Sequence, residues 1–248
     1  MTEVIHVPHG QEHPYQQLPE ERSPRQPLAG QPFTVGIVTR PAGAVKQVTV
    51  RQAVGDKVLP PASATHLVGW LPALEEGVGA EYLERVTKID QDVWQATLTA
   101  PEAGETLSYW IETDQGLRTE TFTLYGESWK TGGSVALEGG RATVTRAVGD
   151  ASATIAGVPA LEMVEWLDAG GRARRVRLTF RAAVDERFFG LGERFNALDQ
   201  RGNIMDIRCY EQYKNQNKRA YMPIPFLLSS AGYGVWVESS RWMQFDLA

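Results

Sequence analysis

Phe188-Phe189-Gly190-Leu191-Gly192-Glu193-Arg194-Phe195-Asn196 carries the strongest architectural signal in this chain. Two glycines one residue apart in an apolar setting mark a turn where the backbone needs positive φ or close approach to a neighbour. Downstream lie a polar and aromatic segment from Tyr210 to Tyr221, the corner Met222-Pro223-Ile224-Pro225-Phe226, and the apolar run Leu227 to Val237. Pro223 and Pro225 fix φ and withhold amide donors, which stiffens the return into a strand from Phe226 to Ser229. Glu193 and Arg194 read as charges that cap or pair within the fold. Tyr233, Trp236, Trp242 and Phe245 read as packing the sheet.

Upstream of the glycine turn the grammar is that of hairpins. Val135 and Leu137, Ala142 and Val144, and Ala153 and Ile155 are short alternating runs separated by Gly139-Gly140 and Val148-Gly149-Asp150. Val164 and Trp166 alternate before Asp168-Ala169-Gly170-Gly171, and Val176, Leu178 and Phe180 alternate after it, with glycine supplying the left-handed turn positions. The arginines at 172, 174, 175, 177 and 181 read as the solvated face of a strand whose other face is apolar.

A first β-region precedes this one. Phe33, Val35 and Ile37 alternate with Thr34, Gly36 and Val38, and Val48 and Val50 repeat the pattern after Pro41-Ala42-Gly43. Trp94, Ala96 and Leu98 alternate with Gln95, Thr97 and Thr99. Leu107, Tyr109 and Ile111, then Phe122 and Leu124, close the series. Strands at this spacing imply an antiparallel sandwich of immunoglobulin size. Trp94 falls in phase with the core positions. Trp70 and Trp110 remain open either to packing or to an aromatic platform for a sugar ring. Tyr82 to Ile89 fits helix or strand.

Residues 1–26, rich in Pro, Gln, Glu and His, have no apolar period and read as a loosely held arm. His6, His9 and His13 on such an arm fix no geometry for a metal. The division expected is therefore 1–26 arm, 27–128 first sandwich and 129–248 second sandwich.

Bulk properties exclude several classes. Over 248 residues, 25 Lys and Arg face 30 Asp and Glu, a net charge of -5 with no basic footprint for nucleic acid. No apolar window reaches the roughly eighteen residues of a membrane helix, and Met1-Thr2-Glu3 lacks a secretory layout, so a cytoplasmic location is expected. The single cysteine, Cys209, rules out an internal disulfide and reads as a small apolar filler.

Gly190-Leu191-Gly192-Glu193-Arg194-Phe195, Asp206, Tyr221-Met222-Pro223-Ile224-Pro225-Phe226 and Ala231-Gly232-Tyr233-Gly234-Val235 occur in an order that resembles glycoside hydrolase family 31, the α-glucosidases and α-xylosidases. The match is with the β-domain before the catalytic barrel. It covers residues 188–246 clearly and fades back to about residue 130. The resemblance implies an all-β chain, an immunoglobulin-like β-sandwich followed by a galactose-mutarotase-like β-sandwich, with the catalytic TIM barrel outside it.

Members are retaining hydrolases in which two carboxylates about 5 Å apart flank the scissile bond. Both belong to the barrel, and no counterpart of the nucleophile motif occurs in this sequence. Nor do Gly-x-Ser-x-Gly, His-Glu-x-x-His or Gly-x-x-x-x-Gly-Lys-Ser/Thr occur. The chain is therefore expected to be catalytically silent, without metal or organic cofactor.

A family loop overhanging the barrel mouth falls on Tyr210 to Arg219. Asp206, Tyr210, Gln212, Lys214, Asn215 and Arg219 are the implied substrate contacts, since amides bind vicinal hydroxyls, tyrosines stack and cations hold anionic substituents. The same composition suits a solvated loop with no ligand. Expected partners are an α-linked oligosaccharide, the chain's own C-terminal barrel and further copies of the protein. A stand-alone carbohydrate-binding or oligomerisation module is the alternative.

Overall fold

The computed structural model describes residues 2–10, 18–70, 89–132, 134–138, 141–145, 161–210 and 219–247. Every regular element among them is a β-strand, so none is a helix long and apolar enough to cross a membrane. The chain divides into two compact units: Met1–Thr131 with Glu165–Val176, and Gly132–Val164 with Arg177–Ala248.

The first unit is built on two antiparallel sheets. In one, β1 (Glu3–Ile5) and β2 (Arg22–Ser23) both pair with β3 (Pro32–Arg40), which continues to β7 (Asp92–Thr99) and β6 (Thr65–His66). The other runs β5 (Lys57–Ser63), β4 (Val48–Val54), β8 (Thr106–Thr113), β9 (Phe122–Tyr125). Alternation puts Phe33, Val35, Ile37, Trp94, Ala96 and Leu98 into one core with Val48, Val50, Leu107, Tyr109 and Ile111. Trp94 packs as its phase predicts, its indole N–H donating to Thr39 Oγ1 at 2.9 Å.

The expectation of a loosely held arm over residues 1–26 is corrected for its described part. β1 and β2 complete the edge of β3, and His6, Glu21 and Arg22 are buried. His6 Nδ1 donates to Gly36 O at 2.7 Å, which leaves Nε2 to accept from the Tyr109 hydroxyl at 3.0 Å. Arg22 donates to that hydroxyl at 3.4 Å and to Arg25 O at 2.8 Å, while Arg25 pairs with Glu21 at 2.6 Å. This anchorage is polar and main-chain, so no apolar period announces it. Gly36 is obligatory here, because a Cβ would stand 2.1 Å from Pro19 O. His9 contacts Gln26 at 3.3 Å; His13 lies outside the described residues.

β10 (Ser128–Thr131), β13 (Leu161–Asp168) and β14 (Ala173–Phe180) form a three-stranded sheet. Gly170 and Gly171 turn the chain between the last two with φ of 65° and 85°. β14 departs from expectation: Val176 is exposed along with its arginine neighbours, so the first half of the strand has no apolar face. Arg174 and Arg181 instead pair with Glu127 at 2.6 Å and Glu162 at 2.7 Å.

The second unit holds the hairpin β11 (Ser134–Glu138) and β12 (Arg141–Thr145), the sheet β15 (Phe188–Gly190), β17 (Phe226–Ser229), β18 (Gly234–Trp236), and the pair β16 (Ile204–Ile207) with β19 (Met243–Asp246). Phe188, Leu191, Met205, Ile207, Leu227 and Leu247 form its core, with Val235, Met243 and Phe245 packed against them. Phe245 thus packs as expected. Trp236 and Trp242 do not: they are 61% and 46% exposed. Val235 and Met243 take the inward positions next to them; strand parity turns Trp236 outward, and Trp242 stands one residue before β19. The run at Ala153-Ile155 lies outside the described residues, as do residues 82–88 of the segment Tyr82 to Ile89.

Candidate functional site

The Gly-Leu-Gly turn organises the second unit's candidate site. Gly190, Leu191 and Gly192 have φ of 93°, 63° and 89° in succession, and Leu191 adopts this sparsely populated region while fully buried in the core. Its amide donates to Phe226 O at 2.8 Å, and the Glu193 amide donates to Met222 O at 3.2 Å. The turn is thereby stitched to both ends of the Pro223–Pro225 corner. A Cβ on Gly192 would lie 2.1 Å from Met222 O and one on Gly190 2.6 Å from Phe226 O. Close approach, as well as φ, requires both glycines.

Arg194 carries this order to β16. Its Nε donates to Leu191 O and its Nη2 to Asp206 O, each at 2.9 Å. The Asp206 side chain, half-buried, accepts the indole N–H of Trp242. Asp206 stands opposite Gln244 in the ladder, so Asp206, Gln244 and Trp242 share the outward face. Met205, Ile207, Met243 and Phe245 fill the inward one.

Beyond β16 the chain meets its own return. Cys209 bridges to Ala220 in parallel register, and the Tyr210 amide donates to Ala220 O at 3.0 Å. The Arg219 guanidinium lies 4.6 Å from the Tyr210 ring centroid, within the range of a cation–π contact. Burial pushes the Tyr210 phenol above its usual value. Arg219 is itself buried. Of the six residues singled out from sequence, Asp206, Tyr210 and Arg219 therefore fall on β16 and the paired segments after it. Gln212, Lys214 and Asn215 lie outside the described residues.

Cys209 is not the apolar filler expected. It is exposed, and its Sγ donates to Tyr221 O at 3.0 Å. A cluster that sequence reading missed fixes the other flank: Glu186 accepts the hydroxyls of Ser229 and Tyr233, and the Ala183 amide at 2.9 Å. Burial, reinforced by the bond to Glu186, pushes the Tyr233 phenol up to about 12. No sequence signal marked this trio, because Glu186 is 43 residues from Ser229. Among the described residues, no group of three or more His, Cys, Asp or Glu is arranged to hold a metal ion. The Trp242 indole, the Asp206 carboxylate and the Gln244 amide thus stand together beside the β16–β19 pair, and the tyrosine–arginine stack follows β16 along the chain.

The profile of the glycosyl hydrolase 31 N-terminal galactose mutarotase-like domain matches residues 84–246. The chain belongs to that family. A second profile, described as Lmo2446-like, N-terminal, matches residues 5–65. A 1,3-alpha-isomaltosidase of Kribbella flavida is 30% identical over 96% of this family 31 chain, which covers 31% of that relative. An isomaltosyltransferase of Sporosarcina globispora is 44% identical over 86 residues, 34% of this chain and 8% of the relative.

Among solved structures, a cycloalternan-degrading enzyme from Trueperella pyogenes in complex with cycloalternan superposes with a TM-score of 0.77 at 24% identity. That likeness, covering 99% of this chain and 33% of the other, establishes the fold. A Kfla1895 mutant in complex with isomaltose gives a TM-score of 0.70 at 27% identity, over 99% of this chain and 31% of that one. The family 31 chain thus spans about a third of these relatives, as an all-β region of the galactose-mutarotase-like type.

Proposed function

We propose that this chain is the non-catalytic N-terminal part of a retaining α-glycoside hydrolase acting on α-linked oligosaccharides, where it buttresses the barrel and lends one wall to the substrate pocket. The observation that carries the reading is the stem where Tyr210 hydrogen-bonds Ala220 and stacks under Arg219. It holds the flanks of the polar segment rigidly beside Asp206, and binding residues concentrate where polar loops leave rigid elements. Relatives named for isomaltosyl substrates favour α-linked glucosyl chains. Asp206, Tyr210 and Arg219, with Gln212, Lys214 and Asn215 between them, are the proposed contacts.

Exposed Met222, Ile224, Leu228 and Trp236 in the second unit support the buttressing half of the proposal. Large apolar side chains gathered on a surface favour contact with another polypeptide, whereas single ones do not. The same observation keeps a second reading, an oligomerisation module, in play.

Saturation-transfer NMR and calorimetry of the chain with isomaltose, maltose and a xylosyl-glucoside test the pocket contribution. Isomaltose contact weakened by Arg219→Ala and by Tyr210→Ala is the expected result. Wild-type chain that engages none of the sugars, and sediments as an oligomer dispersed by Trp236→Ser, would sink the pocket reading in favour of the module.

A further inference from the structure

We infer that the outward face of the β16–β19 pair is a sugar-stacking platform, with Trp242 as its ring-binding residue and Asp206 and Gln244 as its hydroxyl partners. The inference rests on the proposed function above and extends it to Gln244 on β19 and to Trp242, the residue just before that strand.

Three observations carry it. Trp242, the residue just before β19, is 46% exposed although its neighbour Met243 packs against the core, so the indole stands on the opposite side of the chain from that core. Its N–H is held by the Asp206 carboxylate, and Asp206 is held in turn through its main-chain oxygen by Arg194 at 2.9 Å. A surface tryptophan tethered in this way forfeits little rotamer freedom when a ligand covers it, which is the advantage of a pre-organised contact. Thirdly, Gln244 stands directly opposite Asp206 and is exposed. An amide and a carboxylate, with two donors and several acceptor lone pairs between them, therefore flank the ring.

An apolar plate bordered by hydroxyl-binding groups matches a neutral pyranose, whose C–H face is apolar and whose rim is hydroxylated. It matches an apolar polypeptide poorly, because Asp206, Gln244 and Asp246 interrupt the surface. The platform is also continuous with the proposed pocket wall: four residues along the chain from Asp206 lies Tyr210, stacked under Arg219.

The test titrates the whole chain with isomaltose and reads calorimetric affinity together with the Trp242 indole cross-peak, assigned by its loss in Trp242→Phe. A shift centred on that cross-peak is expected. Trp242→Ala should weaken binding about tenfold, equivalent to about 1.4 kcal/mol, while Trp242→Phe, which keeps an aromatic plate, stays within about threefold. Gln244→Ala gives an intermediate loss and, being exposed, leaves folding unchanged. Binding that survives Trp242→Ala but falls with Arg219→Ala overturns the platform and leaves the pocket reading standing. Wild-type chain without sugar affinity overturns both. A Trp242→Ala chain whose sedimentation changes while its sugar contact does not assigns the face to a polypeptide partner and overturns the platform.

Discussion

His6 and Tyr109, separated by 103 residues in sequence, share a buried hydrogen bond of 3.0 Å. It joins the N-terminal segment to β8, one of the two inner strands of the facing sheet, and it stands beside the bond from Nδ1 to Gly36 O in a setting closed to water. Burial lowers the His6 pKa from 6.5 to about 4. Between those values the unfolded chain binds the proton and the folded chain does not, so stability falls as pH falls. The contribution is complete above pH 6.5 and lost on descending toward about 4, amounting to about 3 kcal/mol. Urea midpoints at pH 7 and pH 5 should differ for the wild type, and the difference should shrink in His6→Gln.

Gly192→Ala should destabilise the second unit by more than about 2 kcal/mol, because positive φ and a clash with Met222 O act together. Gly232→Ala is the matched control. Its φ of 88° is nearly the same, with nothing within 4 Å of the added methyl, so only the conformational cost of about 1 kcal/mol applies. Equal melting temperatures for the two variants would rule out the close-approach argument.

Glu186→Leu should cost about 2–4 kcal/mol, since it removes the acceptor shared by Ser229, Tyr233 and the Ala183 amide. Ser229→Ala removes one donor and should cost about 1 kcal/mol. Chemical denaturation of both variants decides whether the carboxylate is the hub of the trio.

Cys209, being exposed, should react with a maleimide in the folded protein at a rate unaffected by mild denaturant. Labelling that requires unfolding would place the thiol inside.

Strand phase was readable where one face of a sheet is wet and the other dry. Trp94, Ala96 and Leu98 took their core positions because Gln95, Thr97 and Thr99 alternate with them on the exposed face. Hydrophobicity alone failed for Trp236 and Trp242, whose neighbours Val235 and Met243 occupy the inward slots. The N-terminal segment was illegible because its anchors are long-range and polar, such as Arg22 reaching Tyr109 across 87 residues. Asp206, Tyr210 and Arg219 were singled out from the order of motifs around them, whereas the Asp206–Trp242 bond depends on a pairing of β16 with β19 that no local pattern encodes.

Arg22 is among the largest fully enclosed side chains of the protein. Shortening the chain to begin at Pro27, the cut that its composition invites, would therefore excise two strands from a sheet's edge and open a water-accessible slot beside Gly36 and Tyr109. The product would be expected to precipitate or recruit a neighbour's strand, and a crystallographer seeking a tidier terminus would do better to leave it alone.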